Sequence, residues 1–419
     1  MRKTYLQLLG GVLLSMMAVA GLTSCNHDLS DHFGVSDNPS EGGGSSTINA
    51  TDITLDQTMK VIKLGGGALT ITATATPAEA TLTWESSDEA VATVENGVVT
   101  PVGAGIATIT AKSGDVTATC EVFVGNEVTL SSSAYTAEKF DILKGDNGDK
   151  SITIPDGIKV AFNEISTTGQ IICSGDATIY LTDGSTNTVN VSTSLLAGIQ
   201  IGAAGTLTIN AETAGDGKLT VQGGNYAAGI GTNMSENGGN GGNIVINGGM
   251  VTAEGGTYSA GIGTGDADGS AANECGTITI NGGTVIATGG DDAAGIGTGV
   301  ANKANTCGAI TINGGTVTAT GGERAAGIGT GWSSASANEC GAIMIGTGVT
   351  SVTATKGDDS PNSIGTGKKE VAQNCGTITF GTLDVFNGSA WTTTMTDGNT
   401  YGGLKLAISG NDWTLTPAP

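Results

Sequence analysis

Two periods run along the chain. The shorter is an alternation of apolar and polar residues, as in Leu69-Thr70-Ile71-Thr72-Ala73-Thr74 and Ile106-Ala107-Thr108-Ile109-Thr110-Ala111. Period two turns every second side chain to the same face, which predicts half-buried β-strands. The longer period is a repeat. Residues 244–264 read IVINGGMVTAEGGTYSAGIGT, residues 278–298 ITINGGTVIATGGDDAAGIGT and residues 310–330 ITINGGTVTATGGERAAGIGT. A degraded copy, IMIGTGVTSVTATKGDDSPNSIGTG, occupies 343–367. The pairs Gly229-Ile230, Gly261-Ile262, Gly295-Ile296 and Gly327-Ile328 lie 32, 34 and 32 residues apart. Such a spacing predicts a stacked array rather than a conventional globule.

One repeat supplies three short strands: Ile278-Thr279-Ile280, then Thr284-Val285-Ile286-Ala287-Thr288, then the run through Gly295-Ile296-Gly297. Asn281-Gly282-Gly283 and Gly289-Gly290 turn the chain between them, and a variable segment (266–274 or 300–306) closes the coil. Parallel strands stacked in register predict a right-handed parallel β-helix, because parallel crossovers take that hand. Ile278, Ile280, Val285, Ala287 and Ile296 should face inward, and Thr277, Thr279, Thr284 and Thr288 outward. Less regular coils precede these, so the module runs over 151–381. The repeat stops at 382, and residues 382–419, with Trp391, Trp413 and the alternation 404–408, are expected to cap the open end.

Residues 51–125 carry alternation without the long repeat, which predicts a β-sandwich. Residues 76–124 read TPAEATLTWESSDEAVATVENGVVTPVGAGIATITAKSGDVTATCEVFV. This resembles the bacterial Ig-like domain of group 2, with Trp84 in the role of core tryptophan and Cys120 as a lone thiol in the last strand. The resemblance implies a spacer or adhesive module without catalytic residues. A connector, 126–150, leads from it to the repeats. The repeat region, through GDATIYLTDG at 175–184 and the recurring NGGTVxATGG…AAGIGTG, resembles a family of β-helical carbohydrate-binding domains on surface proteins of anaerobic gut bacteria. That resemblance implies a glycan binder on a fold shared with polysaccharide lyases. The architecture expected is therefore all-β: an Ig-like sandwich, a β-helix and a cap.

Residues 1–24 have the form of a targeting segment: Arg2 and Lys3, an apolar run from Leu6 to Leu22, then Leu22-Thr23-Ser24-Cys25. The run is short of the roughly 20 residues that a membrane span needs. The last four residues resemble a bacterial lipobox, which implies lipidation of Cys25 and anchoring by lipid alone. The acidic stretch that follows resembles the export signals of Bacteroides-group lipoproteins, implying the outer membrane and the cell surface. Residues 25–50, rich in Asp, Ser, Asn and Gly, are expected to be a flexible tether. Both histidines, His27 and His32, fall in it.

Charge narrows the function. There are 39 acidic and 16 basic residues, a net charge of −23, or −25 once Arg2 and Lys3 are removed. That opposes binding to nucleic acid or to anionic membrane. The 71 glycines fall in periodic positions and mark repeated turns. Enzymes on a β-helix need a base beside acidic ligands, yet no histidine lies beyond the tether. Asp291-Asp292 and Asp358-Asp359 are adjacent pairs, which point oppositely in extended chain. Arg324, the only arginine after the leader, reads as a solvated pair with Glu323.

Three columns remain. Cys275, Cys307, Cys340 and Cys375 share one, open to a buried thiol ladder, inter-coil disulfides or a metal site. Asn273, Asn305 and Asn338 suggest a second ladder. Before the Gly-Ile strand, Tyr226, Tyr258, Asp292 and Arg324 share a turn position; Tyr226 and Tyr258, one coil apart, suit a sugar ring or are simply exposed tyrosines. Trp332, unpaired in a variable loop, is the best exposed aromatic. Asp266-Ala267-Asp268-Gly269-Ser270 resembles part of a calcium loop, making Asp266 and Asp268 candidate ligands and calcium the one candidate cofactor. The expected function is non-catalytic binding of a polysaccharide or surface glycan by a monomeric, lipid-anchored protein. A ligand-free structural role and a lyase-like enzyme are the alternatives.

Overall fold

The computed structural model describes residues 48–419 apart from 203, 214, 235–240, 268–271, 303, 335–337 and 369–373. Every regular element among the described residues is a strand.

The first module packs short sheets around a small core. Thr83–Ser86, Gly105–Ser113 and Val116–Thr129 form an antiparallel run, and Met59–Lys63 joins the last of them in parallel. Leu69–Thr70, Val98–Pro101 and Ala92–Glu95 form a second sheet, and Asp52–Leu55 pairs with Ala73–Thr76. The alternation read from the sequence is the burial pattern: Ala107, Ile109, Cys120, Val122 and Val124 are fully buried, and Trp84 packs against that cluster.

Next comes a parallel β-helix. One ladder stacks Ala177–Leu181, Thr206–Ala211, Asn243–Ile246, Ile278–Ile280, Ile310–Ile312, Ile343–Ile345 and Thr377–Phe380, all parallel and in register. A second stacks Thr186–Asn190, Lys218–Gln222, Met250–Glu254, Thr284–Thr288, Gly315–Thr320 and Val349–Thr355. The third runs from Tyr135–Thr136 to Ile364–Gly365 in nine strands. Ile278, Ile280, Val285, Ala287 and Ile296 are fully buried in one continuous core. In the Gly-Ile-Gly strand the second glycine is obligatory: at Gly263 φ is +136°, and a Cβ would sit 1.9 Å from the carbonyl oxygen of Gly297 in the next coil.

Two features differ from the sequence reading. The repeating coils contain a fourth strand where a variable closing segment was expected: Asn273–Cys275, Asn305–Cys307, Asn338–Cys340 and Asn374–Cys375 stack as their own parallel sheet. Residues 126–150, read as a connector, are instead the start of the solenoid. The strand Val116–Thr129 continues out of the Ig-like sheet, and its end pairs in parallel with Asp141–Asp146, which pairs in turn with Ile158–Thr167.

Side chains lock the same junction. Phe123 packs between Phe140 and Tyr180, with ring centroids 5.6 and 5.1 Å apart, and the Tyr180 hydroxyl donates to Glu121 at 3.0 Å. The buried Glu212 carboxylate accepts from the Asp183 amide (2.7 Å), from Lys60 Nζ (3.1 Å) and from the Val61 amide. At the other end, Asp412–Pro417 pairs antiparallel with Val349–Thr355, and Leu404–Ser409 pairs with it, covering the last coil.

Candidate functional site

Each coil bends sharply just before its Gly-Ile strand. The bend residues Tyr226, Tyr258 and Asp292 adopt left-handed backbone, with φ of 67°, 65° and 61°. The amide four residues after each buried isoleucine returns to the bend of the preceding coil. Asp266 N donates to Tyr226 O (3.1 Å), Val300 N to Tyr258 O (2.8 Å), Trp332 N to Asp292 O (2.7 Å) and Lys368 N to Arg324 O (2.7 Å). Two columns of side chains are thereby interleaved along one edge of the solenoid, with an offset of one coil.

The second column is pinned from behind. Asn273, Asn305 and Asn338 are fully buried, and their Nδ2 groups donate to Asp266 O (2.9 Å), Val300 O (2.6 Å) and Trp332 O (3.0 Å). Thr232, Thr264, Thr298 and Thr330 accept the amides of Gly265, Gly299, Gly331 and Gly367 at 2.8 to 3.0 Å. These donations from Asn Nδ2 and to Thr Oγ1 fix the edge from within the coil. The asparagine column stacks in register from coil to coil, as expected, with each amide bonded to a backbone carbonyl rather than to the next asparagine. The ladder of amide to amide is on the outside, where Asn247, Asn281 and Asn313 donate to Asn210, Asn247 and Asn281 at 2.8 to 2.9 Å.

Between the two columns lies a groove of about 300 Å³ lined by Tyr226, Met234, Tyr258, Asp266, Val300, Asn302, Arg324 and Trp332. Four residues singled out separately in the sequence meet here: Tyr226, Tyr258, Trp332 and Asp266. The tyrosine rings lie 6.0 Å apart at an interplanar angle of 37°. All three aromatics are half-buried.

Two expectations are corrected. Trp332 is not unpaired, because the Arg324 guanidinium lies 3.6 Å from its ring centre. Arg324 is not a solvated partner of Glu323. Its Nε donates to Asp292 Oδ1 at 2.8 Å and its Nη2 to Asp292 Oδ2, a two-point ion pair in which the carboxylate is buried. The arginine that lines the groove is thereby paired with a carboxylate of its own chain.

Sequence reasoning missed Met234, Val300 and Asn302 as groove residues. Met234 and Val300 carried a signal, since each lies four residues after the isoleucine of its Gly-Ile strand, as do Asp266 and Trp332. Cys25 and Asp268 lie outside the described residues. Asp266 is buried, and the described residues hold no group of three or more His, Cys, Asp or Glu placed to take a metal ion. Cys275, Cys307, Cys340 and Cys375 are buried free thiols stacked on the fourth strand. Sharing S–H contacts with Cys307, together with burial, holds Cys275 and Cys340 well above the usual thiol range. All four side chains are buried and pack in the core of the coil.

Residues 49–124 match the bacterial Ig-like domain (group 2), and residues 244–266, 278–300 and 310–332 match the β-helix repeat. No curated protein matches the chain. Bacterial Ig-like domains are often found in extracellular or surface proteins, and β-helix repeats in both lyases and non-enzymes. The chain is therefore built of a group 2 bacterial Ig-like domain followed by a β-helix repeat module.

Proposed function

We propose that this is a non-catalytic surface protein that binds a neutral polysaccharide along the edge of its β-helix. The observation that carries this reading is the convergence of Tyr226, Tyr258 and Trp332 on one groove. Aromatic faces match the C–H faces of sugar rings, and hydroxyls at the ring edge find acceptors such as the Asn302 amide. Backbone strain supports the same reading. A bulky residue in a left-handed turn costs roughly 1–2 kcal/mol, whereas Gly or Asn takes that conformation cheaply. A chain needing only the turn has no reason to spend tyrosines there in two successive coils.

Neutrality follows from charge. Asp292 occupies Arg324, and the whole chain carries −23. An acidic glycan would need a bridging cation. Anchoring belongs to the same proposal: lipidation at Cys25 places the module on the outer membrane, facing outward on its tether. Membrane fractions of cells making Cys25→Ala should lose the protein to the soluble fraction.

The test is a glycan array probed in EDTA and, in parallel, in calcium, with the parent protein and with Tyr226→Ala/Tyr258→Ala. Binding of a neutral glycan by the parent alone is the expected result. Signal that requires calcium, or that is confined to uronic-acid polymers, would refute a neutral ligand. Release of unsaturated or reducing-end products from the bound glycan would make the protein a lyase or hydrolase instead.

A further inference from the structure

The aromatic groove does not end the edge. One coil beyond Arg324, the bend formed by residues 358–362 continues the same column: Asp359 N donates to Glu323 O (3.0 Å), and Gly357 N to Ala325 O (3.0 Å). Asn362, in this bend, is one wall of a second groove, of about 440 Å³, whose other walls are Trp391, Thr392, Thr393, Thr394, Met395 and Trp413. The cap is fastened to the bend rather than merely adjacent. Asn411 Nδ2 donates to Asp358 Oδ1 (2.7 Å), and Asn411 O accepts from Ser363 Oγ (2.8 Å) and the Lys356 amide (3.1 Å).

The lining of this second groove is chemically selective. It contains no ionisable side chain. Trp391 and Trp413 are half-buried with ring centroids 5.6 Å apart, so each keeps part of its face or edge for contact. Threonine hydroxyls and the Asn362 amide surround them. The amide is fixed, because its Nδ2 donates to Thr366 O (3.0 Å) and Thr366 Oγ1 (3.2 Å). Indole faces framed by uncharged hydrogen-bonding groups suit the same occupant as the first groove, a neutral sugar.

We infer that the Trp391–Trp413 groove is a second station for the same glycan, and that one neutral oligosaccharide chain lies along the solenoid axis across both. This rests on the reading of the first groove given above. Three coil steps separate the bend of Tyr258 from that of residues 358–362, about 14 Å at the spacing of stacked strands. A single sugar cannot touch both stations, so affinity should depend on chain length. Once the first station is filled, the second is reached at high effective concentration.

The experiment is titration calorimetry with neutral β-1,4-linked gluco-, xylo- and manno-oligosaccharides, from disaccharide to octasaccharide. The parent is compared with Thr394→Arg, Trp413→Phe and Tyr258→Asn. Thr394 is exposed, so an arginine there obstructs the groove without opening the core. Affinity for the parent should rise with length and then level off. Thr394→Arg should weaken long chains roughly five- to tenfold and leave the shortest binding chains unchanged, while Tyr258→Asn weakens both. Long chains should also change the tryptophan fluorescence of Trp332→Phe, in which Trp391 and Trp413 still report above a constant signal from Trp84 of the Ig-like module. If Tyr258→Asn weakens binding but both cap variants match the parent at every length, the second station is wrong and the first groove stands. If only the cap variants weaken binding, the continuous track is wrong and the cap is a separate site. If no chain binds the parent, the second station falls together with the reading on which it rests.

Discussion

A tyrosine in a left-handed turn is a costly way to make a bend, and this chain does it at Tyr226 and again at Tyr258. Part of the cost is offset where it arises, because the two rings touch, and such pairs contribute about 0.5–1.5 kcal/mol. The turn itself does not depend on the rings. Tyr258→Asn should therefore melt within a few degrees of the parent, since relief of strain and loss of ring contact are of similar size. The thiols illustrate the opposite use of a side chain. Cys173 is completely buried, and burial pushes its pKa from 9.0 to about 12. The folded state thus favours the neutral thiol. Its contribution to stability is intact below pH 9 and is lost as pH rises towards 12, where the unfolded chain releases the proton first. Melting temperature should fall across that window, and less steeply in Cys173→Ala. Identical slopes for the two proteins would show that the thiol is not protonated by burial.

At the scale of the strand, facing was legible in the sequence and closure was not. Period two alone assigned Ile278, Ile280, Val285 and Ala287 to the interior, and all four are fully buried. Ile296→Asp buries a carboxylate without a partner and should cost several kcal/mol, whereas Thr284→Asp, on the outer face, should stay within about 1 kcal/mol. Comparable melting shifts would contradict the coil geometry. The fourth strand escaped because Asn305-Thr306-Cys307 is too short and too polar to show a hydrophobic period. It pairs only because neighbouring coils present the same residues. The groove was half legible for a related reason. Tyr226, Tyr258, Trp332 and Asp266 each stood out singly, but their meeting depends on a one-coil offset between the two columns. That offset is set by long-range bonds such as Asp266 N to Tyr226 O, which no local pattern announces.

At the scale of the molecule, the Ig-like module and the solenoid share a strand. Val116–Thr129 is paired on the Ig-like side by Gly105–Ser113 and Met59–Lys63, and on the solenoid side by Asp141–Asp146. In place of the connector read from the sequence there is continuous sheet, with Phe123, Tyr180 and Glu212 buried across it. Calorimetric unfolding should then show the two modules melting together. Two resolved transitions would mean that the shared strand does not couple them. Removal of Glu212 by substitution with alanine should lower the common transition more than Lys60→Met does, because it strands the Val61 and Asp183 amides and the Lys60 ammonium together, whereas Lys60→Met leaves the Glu212 carboxylate both of its amide donors. A rigid arm of this kind suits the proposed role, in which a binding edge is held away from a membrane. The proposed function depends on the edge binding sugar through its aromatic rings. The most direct measurement is the dissociation constant, in EDTA, of Tyr258→Asn and of the parent for the neutral glycan that the array identifies. The account predicts a several-fold weaker variant that melts within a few degrees of the parent, a loss of roughly 1 kcal/mol of binding. Equal affinities in two equally stable proteins would contradict it.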